Sequence, residues 1–392
     1  MVSLKARRPI VFGQIASLTG SNYMGLENMV GAELAVQQLN DSGGVLGRSV
    51  ELHVEDDGSL PQGAVDAYGR LAGQSTVAVI GTSFSNASLA VLPYTDERQL
   101  LYVSTGAAHT QVDPVRAYAF MTPPPGHLVA EQLLRFLRGG GITEIAVVID
   151  SDSAFNRDAW TAQKNMLGRH GISAAAIEYV NVDTEDFGPA LRRIAESPAQ
   201  ALMAWVTGPP ATGLARAFRA AGHNMPMVMG LGAASPGFVD SVGPVADGMI
   251  VATSLVSVGS DVPESATRLA IQALTAPFEQ RHGALPSQFA VDGYIAAKLI
   301  AAAVEAAGTE ERDAVRDAME TLTCVTAAGR YAFSPNNHSG LDVDDVAVAV
   351  IRDGRFRLTP WSAGKLREHL RPTSPLGALG NPMAGGRAPT AH

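Results

Sequence analysis

Four small polar residues crowd into five positions of the stretch VAVIGTSFSNASLAVLP (Val77–Pro93): Thr82, Ser83, Ser85 and Asn86. They follow an apolar, β-rich run that ends at Gly81. Hydroxyls at the mouth of a strand can supply a nucleophile, cradle a phosphate, or grip a polar group by hydrogen bonds. A nucleophile elbow needs G-x-S-x-G, and GTSFSN has only Gly81 nearby. A phosphate loop needs G-x-x-x-x-G-K-[ST], which the chain lacks. GLGAASPG (230–237) is not G-x-G-x-x-G and lies far from the first strand. H-E-x-x-H is absent, and the acidic runs Glu55–Asp57 and Asp342–Asp345 fit solvated turns better than cation sites. No metal and no cofactor are expected. The grip remains, and any of the four can instead shape the turn or cap the next helix.

Similar clusters recur: STGAAHT (104–110), DSDSAFNRD (150–158), TGPPATG (207–213) and GLGAASPG. Each offers backbone N–H groups and small hydroxyls suited to a carboxylate or another polar head group. Any one of them serves equally well as a helix cap, but five in register argue for a shared pocket. Phe155 sits inside one of these polar loops and is a candidate wall; Trp160, Trp205 and Tyr294 read as core.

The elements that must position these loops alternate strand and helix. Strand-like Pro9–Ala16, Ser49–Val54, Val77–Ile80 and Leu100–Ser104 are interleaved with helical Gly25–Asn40, Gln62–Leu71 and Asn86–Asp96. A second series of the same rhythm runs from Leu128 to Ala252. Repeated βα order argues for parallel sheets covered by helices, here in two lobes. Three helices then follow (Glu264–Arg281, Phe289–Ala307, Glu310–Leu322), with strand-like Asp345–Ile351 and Phe356–Leu358 joined by a hairpin-type turn. Helices in a row must pack on something already built. They are expected to return to the first lobe, and the last strands to join the second. The expected units are 8–122 plus 253–328, and 123–252 plus 329–362, with a loose tail over 363–392 whose Pro/Gly/Ala/Ser-rich part begins near Arg371.

At 392 residues there is room for two such lobes. The formal charge of −9, with no basic cluster interleaved with aromatics, argues against nucleic acid as a partner. The single cysteine, Cys324, excludes an internal disulfide and leaves the redox compartment open. No run of 18 apolar residues exists to span a bilayer. The opening MVSLKARRPIVFGQIASLTG reads as a first strand rather than a signal peptide, because its apolar part is short and broken by Gly13 and Gln14. As written, the chain is expected to be a trimmed form or to stay inside the cell.

The stretch from Phe12 to Val65, with Thr19-Gly20, NDSGGVLG and Asp56-Asp57 in order, resembles the opening of the leucine/isoleucine/valine-type solute-binding proteins. VIGTSFSNAS, STGAAHT, IAVVIDSDSAFNRD, LARAFRAAGHN and VDGYIAAKLIAAAVEAAG extend the likeness over roughly 8–360. The resemblance implies a type I periplasmic-binding fold: two doubly wound α/β lobes joined by three crossovers, with a ligand in the hinge cleft. Carried across by position, Ser85 grips the ligand carboxylate, with Ser83 a further ligand-binding candidate; Thr82, Ser83 and Asn86 are expected to shape the turn and cap the next helix, and Ala107 and Ala108 to offer backbone contacts. Tyr23 or Met24 covers the pocket, Phe155 matches a second-lobe aromatic, and Thr207 and Gly208 fall near another contact. Family members that bind amino acids often place an acid where Gly232 stands here. Its absence implies a small carboxylate or amide ligand rather than an ordinary α-amino acid, unless Asp150 or Asp152 supplies the charge.

Three functions follow. The leading one is the binding component of an ABC importer, with a membrane permease as partner and a periplasmic or cell-surface location by resemblance. The second is a cytoplasmic amide or small-ligand sensor of the same fold, favoured by the missing signal and by SPNNHSGLDVDD. An enzyme using Ser83 or Ser85 ranks third, for want of a paired histidine and acid.

Overall fold

The fold is that of a computed structural model, which describes residues 8–370. The first unit runs β1 (Ile10–Ala16), α1 (Tyr23–Asp41), β2 (Val50–Asp56), α2 (Pro61–Ala72), β3 (Thr76–Ile80), α3 (Ser85–Arg98), β4 (Leu101–Ser104) and β5 (Ala119–Met121). These strands form one parallel sheet in the order β2-β1-β3-β4-β5. The residues of β1, β3 and β4 are buried throughout, as strands covered by helices on both faces must be.

The second unit continues with α4 (Gly126–Gly139), β6 (Glu144–Asp150), α5 (Ala154–Met166), β7 (Ser173–Val180), α6 (Gly188–Ala195), β8 (Ala201–Trp205), α7 (Pro209–Ala220), β9 (Met227–Met229), α8 (Pro236–Val242) and β10 (Ile250–Thr253). Then come α9 (Ala266–His282), α10 (Gln288–Ala307), α11 (Arg312–Glu320), a hairpin of β11 (Thr323–Thr326) and β12 (Gly329–Ala332), then β13 (Ala347–Arg352), β14 (Arg355–Leu358) and α12 (Pro360–His369). The second sheet has the order β14-β13-β10-β9-β8-β6-β7. Its β7-to-β10 part is parallel, and β13 and β14 close it antiparallel.

Helix α10 returns to the first unit and lies on α1. A Cβ added at Gly31 would stand 1.8 Å from the Ala290 carbonyl oxygen, and one at Gly293 2.0 Å from that of Asn28. Only glycine permits this backbone-to-backbone approach. Gln14 Nε2 donates to Asn28 Oδ1 at 2.9 Å, and Asn28 Nδ2 donates to the Phe289 carbonyl at 3.1 Å. The start of α10 is thereby fixed against β1 and α1, which decides what it presents to the cleft.

Several elements depart from the sequence reading. Strand β5 and helix α8 have no counterpart in the sequence reading, since three and seven residues are too few to show a period. Residues 323–332, left unassigned by the sequence pattern, form the β11–β12 hairpin. The hairpin and the loop after it lie beside β5: Tyr331 Oη donates to the Thr122 carbonyl, and Met121 N donates to that of His338 at 3.1 Å. The expected unit boundary at 328/329 therefore falls inside a hairpin. Residues 363–369, expected in the loose tail, belong to α12, whose N-terminus is capped by the Thr359 hydroxyl accepting from Ser362 N at 3.2 Å. The rest of that expected tail, 371–392, lies outside the described residues.

Candidate ligand-binding cleft

The carboxyl ends of the two sheets face each other and enclose a cavity of about 70 Å³. A single water fills about 10–15 Å³ on this scale, so the space holds about five waters or a ligand of similar bulk. A second hollow, about 300 Å³, lies beside β5 and is lined by His109, Asp113, His127 and His338. Only the first is walled by strand-end loops from both units.

Seven of the residues singled out from the sequence meet in that cavity: Met24, Ser83, Ser85, Ala107, Phe155, Thr207 and Gly232. Ser85 opens α3 and is almost fully buried. Its Oγ accepts from Ala108 N at 3.2 Å and makes no other hydrogen bond among the described residues, so its own hydrogen is uncommitted there. Ser83 Oγ lies 3.4 Å from Thr105 Oγ1, which donates to the Gly81 carbonyl at 3.0 Å. Beneath them Ser88 Oγ reaches the Thr82 carbonyl, Tyr102 Oη and Ser104 Oγ at 2.9, 2.8 and 3.0 Å. Gln111 accepts from Ser104 Oγ at 2.6 Å and donates to the Gly106 and Ala108 carbonyls at 3.0 and 3.1 Å. This buried network fixes both loops. Gln111 and Ser88 were not singled out from sequence because they touch no ligand position themselves.

The other three residues sit differently. Ala108 spends its N–H on Ser85 and is wholly buried, while Ala107 alone lines the space. Met24 lines it too; Tyr23 lies at the entrance, its ring 6.1 Å from that of Phe84 and 6.2 Å from that of Phe289. The Tyr23 ring is 38% exposed, yet its hydroxyl is tucked against the other unit: a Cβ at Gly208 would lie 2.7 Å from it. Burial, helped by the Asp150 charge, pushes that phenol up to about 12. Gly208 adopts φ +72° at the start of α7 and faces Tyr23 rather than the cavity.

Asn86 corrects the sequence reading. Helix α3 has no side-chain cap, and Asn86 instead crosses the cleft. Its Nδ2 donates to the Asp152 carbonyl at 3.0 Å, and its Oδ1 accepts from Ala154 N, the first N–H of α5, at 2.8 Å. The loop at 17–22 is fixed by Asp56, which accepts from Leu18 N, Thr19 Oγ1 and Gly58 N at 3.0, 2.7 and 2.8 Å. Burial opposes ionisation of Asp56, but these bonds win and hold its carboxyl below the ordinary value.

On the second-unit side, Ser153 caps α5 by accepting from Asn156 N at 3.3 Å. Phe155 stands edge-on to Trp205 at 6.1 Å, and Trp205 Nε1 donates to Gln163 Oε1 at 2.8 Å. Thr207 Oγ1 lies 3.3 Å from Asn156 Oδ1. A Cβ at Gly232 would come within 2.2 Å of Thr207 Oγ1 and 2.9 Å of its Cβ, so no side chain fits there as the loop stands.

The sequence reading missed Gln288, Phe289 and Asp292, all on the first turns of α10 and all lining the cavity. Asp292 is 3% exposed, and its Oδ1 accepts from Gln288 Nε2 at 2.7 Å. Gln288 is itself held by Ser254 N, which donates to its Oε1 at 3.2 Å. Burial raises the Asp292 carboxyl well above the ordinary value, with the Gln288 bond a lesser opposing influence. The acid that lines the cavity therefore comes from a helix, and is neither at Gly232 nor one of Asp150 and Asp152, which the sequence reading offered in its place. A charged residue inside an otherwise apolar, buried helix was the signal that could have found it.

With this geometry in view, the comparisons are consistent. Residues 9–355 match the family model described as periplasmic binding protein, and the chain belongs to that family. It is 23% identical over 365 residues to the Leu/Ile/Val-binding protein BraC3 of Rhizobium johnstonii, covering 92% of this chain and 94% of that one. Its fold is similar to LivJ from Streptococcus pneumoniae, solved with isoleucine (TM-score 0.78, 20% identity, 90% of this chain and 99% of that one). It is equally similar to a solute-binding protein from Rhodopseudomonas palustris solved with benzoate (TM-score 0.78, 20% identity, 90% and 95%). The fold is therefore the type I periplasmic-binding fold.

Proposed function

We propose that this chain is the solute-capture component of an ABC importer, working in the periplasm or at the outer cell surface. It closes on a small carboxylate, amino-acid-like or amide ligand and hands it to a membrane permease. The observation that carries this reading is the inter-lobe cavity with the spare Ser85 hydroxyl at its wall. A carboxylate accepting that hydrogen, with Ser83 beside it, would sit against the walls of Met24, Phe84, Phe155, Leu231 and Phe289. Isoleucine and benzoate, the ligands of the two similar proteins, both join a carboxylate to a short apolar body. Ser85 has Ala108 N as its partner rather than a histidine or an acid, which supports capture without turnover. The bodies that move are, in this reading, the two lobes, hinged where the chain passes between the sheets.

Isothermal titration calorimetry against amino acids, aliphatic acids, aromatic acids and amides tests the proposal. Saturable one-site binding of a carboxylate or amide, recovered unchanged afterwards, is expected. Absence of binding across the panel, or conversion of the ligand, overturns it.

A further inference from the structure

We propose that Asp292 meets a cationic group of the ligand, so that the first lobe holds both polar ends of a small zwitterion. The inference rests on the binding function proposed above and names the chemistry of that same site. Asp292 is the one ionisable side chain among the residues lining the cavity, and no basic residue lines it. Its Oδ1 is occupied by Gln288, whose orientation is fixed in turn by Ser254 N; its Oδ2 takes no hydrogen bond from the described residues. Of the titratable groups packed nearby, Tyr331 feels the Asp292 charge, but its hydroxyl is committed to the Thr122 carbonyl. Among the described residues no ion pair supplies Asp292 with a counter-charge.

The other candidate acids are already committed. Asp150 accepts from Asp152 N at 2.9 Å and from Asn156 Nδ2 at 3.3 Å, and Asp152 Oδ2 accepts from Val182 N at 3.1 Å. Neither lines the cavity. At Gly232 no acidic side chain has room beside Thr207. An ionised carboxylate with one hydrogen bond and no cation is costly to bury, so the empty site favours a proton on Asp292. A ligand ammonium replaces that proton and restores the charge balance. Ser85 on α3 and Asp292 on α10 are both first-lobe residues, so recognition of the two charged ends is complete before the second lobe closes.

The test pairs amines with acids that lack them: L-leucine with 4-methylpentanoate, 4-aminobutyrate with butyrate, and benzoate alone. In the wild-type protein the amine-bearing member of at least one pair is expected to bind about 30-fold or more tightly than its partner, the range for a buried charge pair. Asp292→Asn should shrink that preference to about threefold or less while leaving the melting curve cooperative. If that variant does not fold, a crystal structure of the wild-type complex decides, since the ammonium must lie within hydrogen-bonding distance of Asp292. An ammonium held elsewhere, an undiminished preference in Asp292→Asn, or amine-free acids binding as tightly as amines overturns the assignment while the binding function stands. Absence of binding by any member removes both.

Discussion

The two walls of the cleft are built from similar parts and present different chemistry. On the first lobe, the loops after β3 and β4 rest on a buried hydroxyl and amide network through Ser88, Tyr102, Ser104 and Gln111. Ser85 keeps one free donor in front of it. On the second lobe, the corresponding loops carry Phe155 against Trp205, then Leu231 and a glycine at 232 that has no room for a side chain. The difference teaches that strand-end loops do not all serve alike: one wall is pre-organised for polar recognition and the other for covering. Pre-organised donors cost nothing to arrange when the ligand arrives, which is why their removal should matter most.

The largest effect should come from displacing that polar wall as a whole. Gly31→Val drives a side chain into the Ala290 carbonyl at the α1–α10 crossing. Destabilisation at or above the about 1–3 kcal/mol of ordinary overpacking is expected by chemical denaturation, together with loss of ligand binding. A variant as stable as wild type would show that α10 is not held by this contact. Next comes Ser85→Ala, which removes a charge-assisted hydrogen bond to the ligand. Calorimetry should show a loss of about 1.5–3 kcal/mol in affinity, with the fold intact. A change below twofold would move the carboxylate grip away from α3.

On the covering wall, Phe155→Leu keeps an apolar surface and loses the edge-to-face contact with Trp205. The expected cost in affinity is below about 1.5 kcal/mol, uneven between aromatic and aliphatic ligands and equal for ligands that differ only in their polar end. If Phe155→Leu altered the preference for amine over acid, the division of labour between the lobes would be wrong.

This asymmetry was only half legible in the sequence. The strand-end loops could be read because apolar β-rich runs end abruptly in Ser, Thr, Gly and Asn, and order alone places such ends together in a parallel sheet. The loops holding Ser83, Ser85, Ala107, Phe155, Thr207 and Gly232 were found on that basis, and the individual residues in them came from the resemblance to the solute-binding family. Asp292 was not found, because QFAVDGYIAAKLI has the pattern of a buried helix and its direction depends on Gly31 and Gly293, each harmless-looking alone. Asn86 was misjudged for a related reason. Its polar side chain near a helix start fits a local cap, while its real partners lie 66 and 68 residues away. Short elements such as β5 and the β11–β12 hairpin stayed hidden because pairing across the fold, not a local period, creates them.

The smallest predicted effect concerns the seam between the walls. Asn86 joins the lobes by donating to the Asp152 carbonyl and accepting from Ala154 N, so under the proposed hinge motion these bonds break when the lobes part. In Asn86→Ala the first N–H of α5 loses its acceptor, and closure loses about 0.5–1.5 kcal/mol for each bond. If polar recognition is finished on the first lobe before closure, the association rate should be unchanged. The whole penalty should then appear as faster dissociation, read by stopped-flow fluorescence. The same variant should leave the discrimination between amines and acids untouched, because neither Ser85 nor Asp292 has moved. A slower association with unchanged dissociation would mean that Asn86 helps to load the ligand, and that the second lobe takes part in recognition from the start.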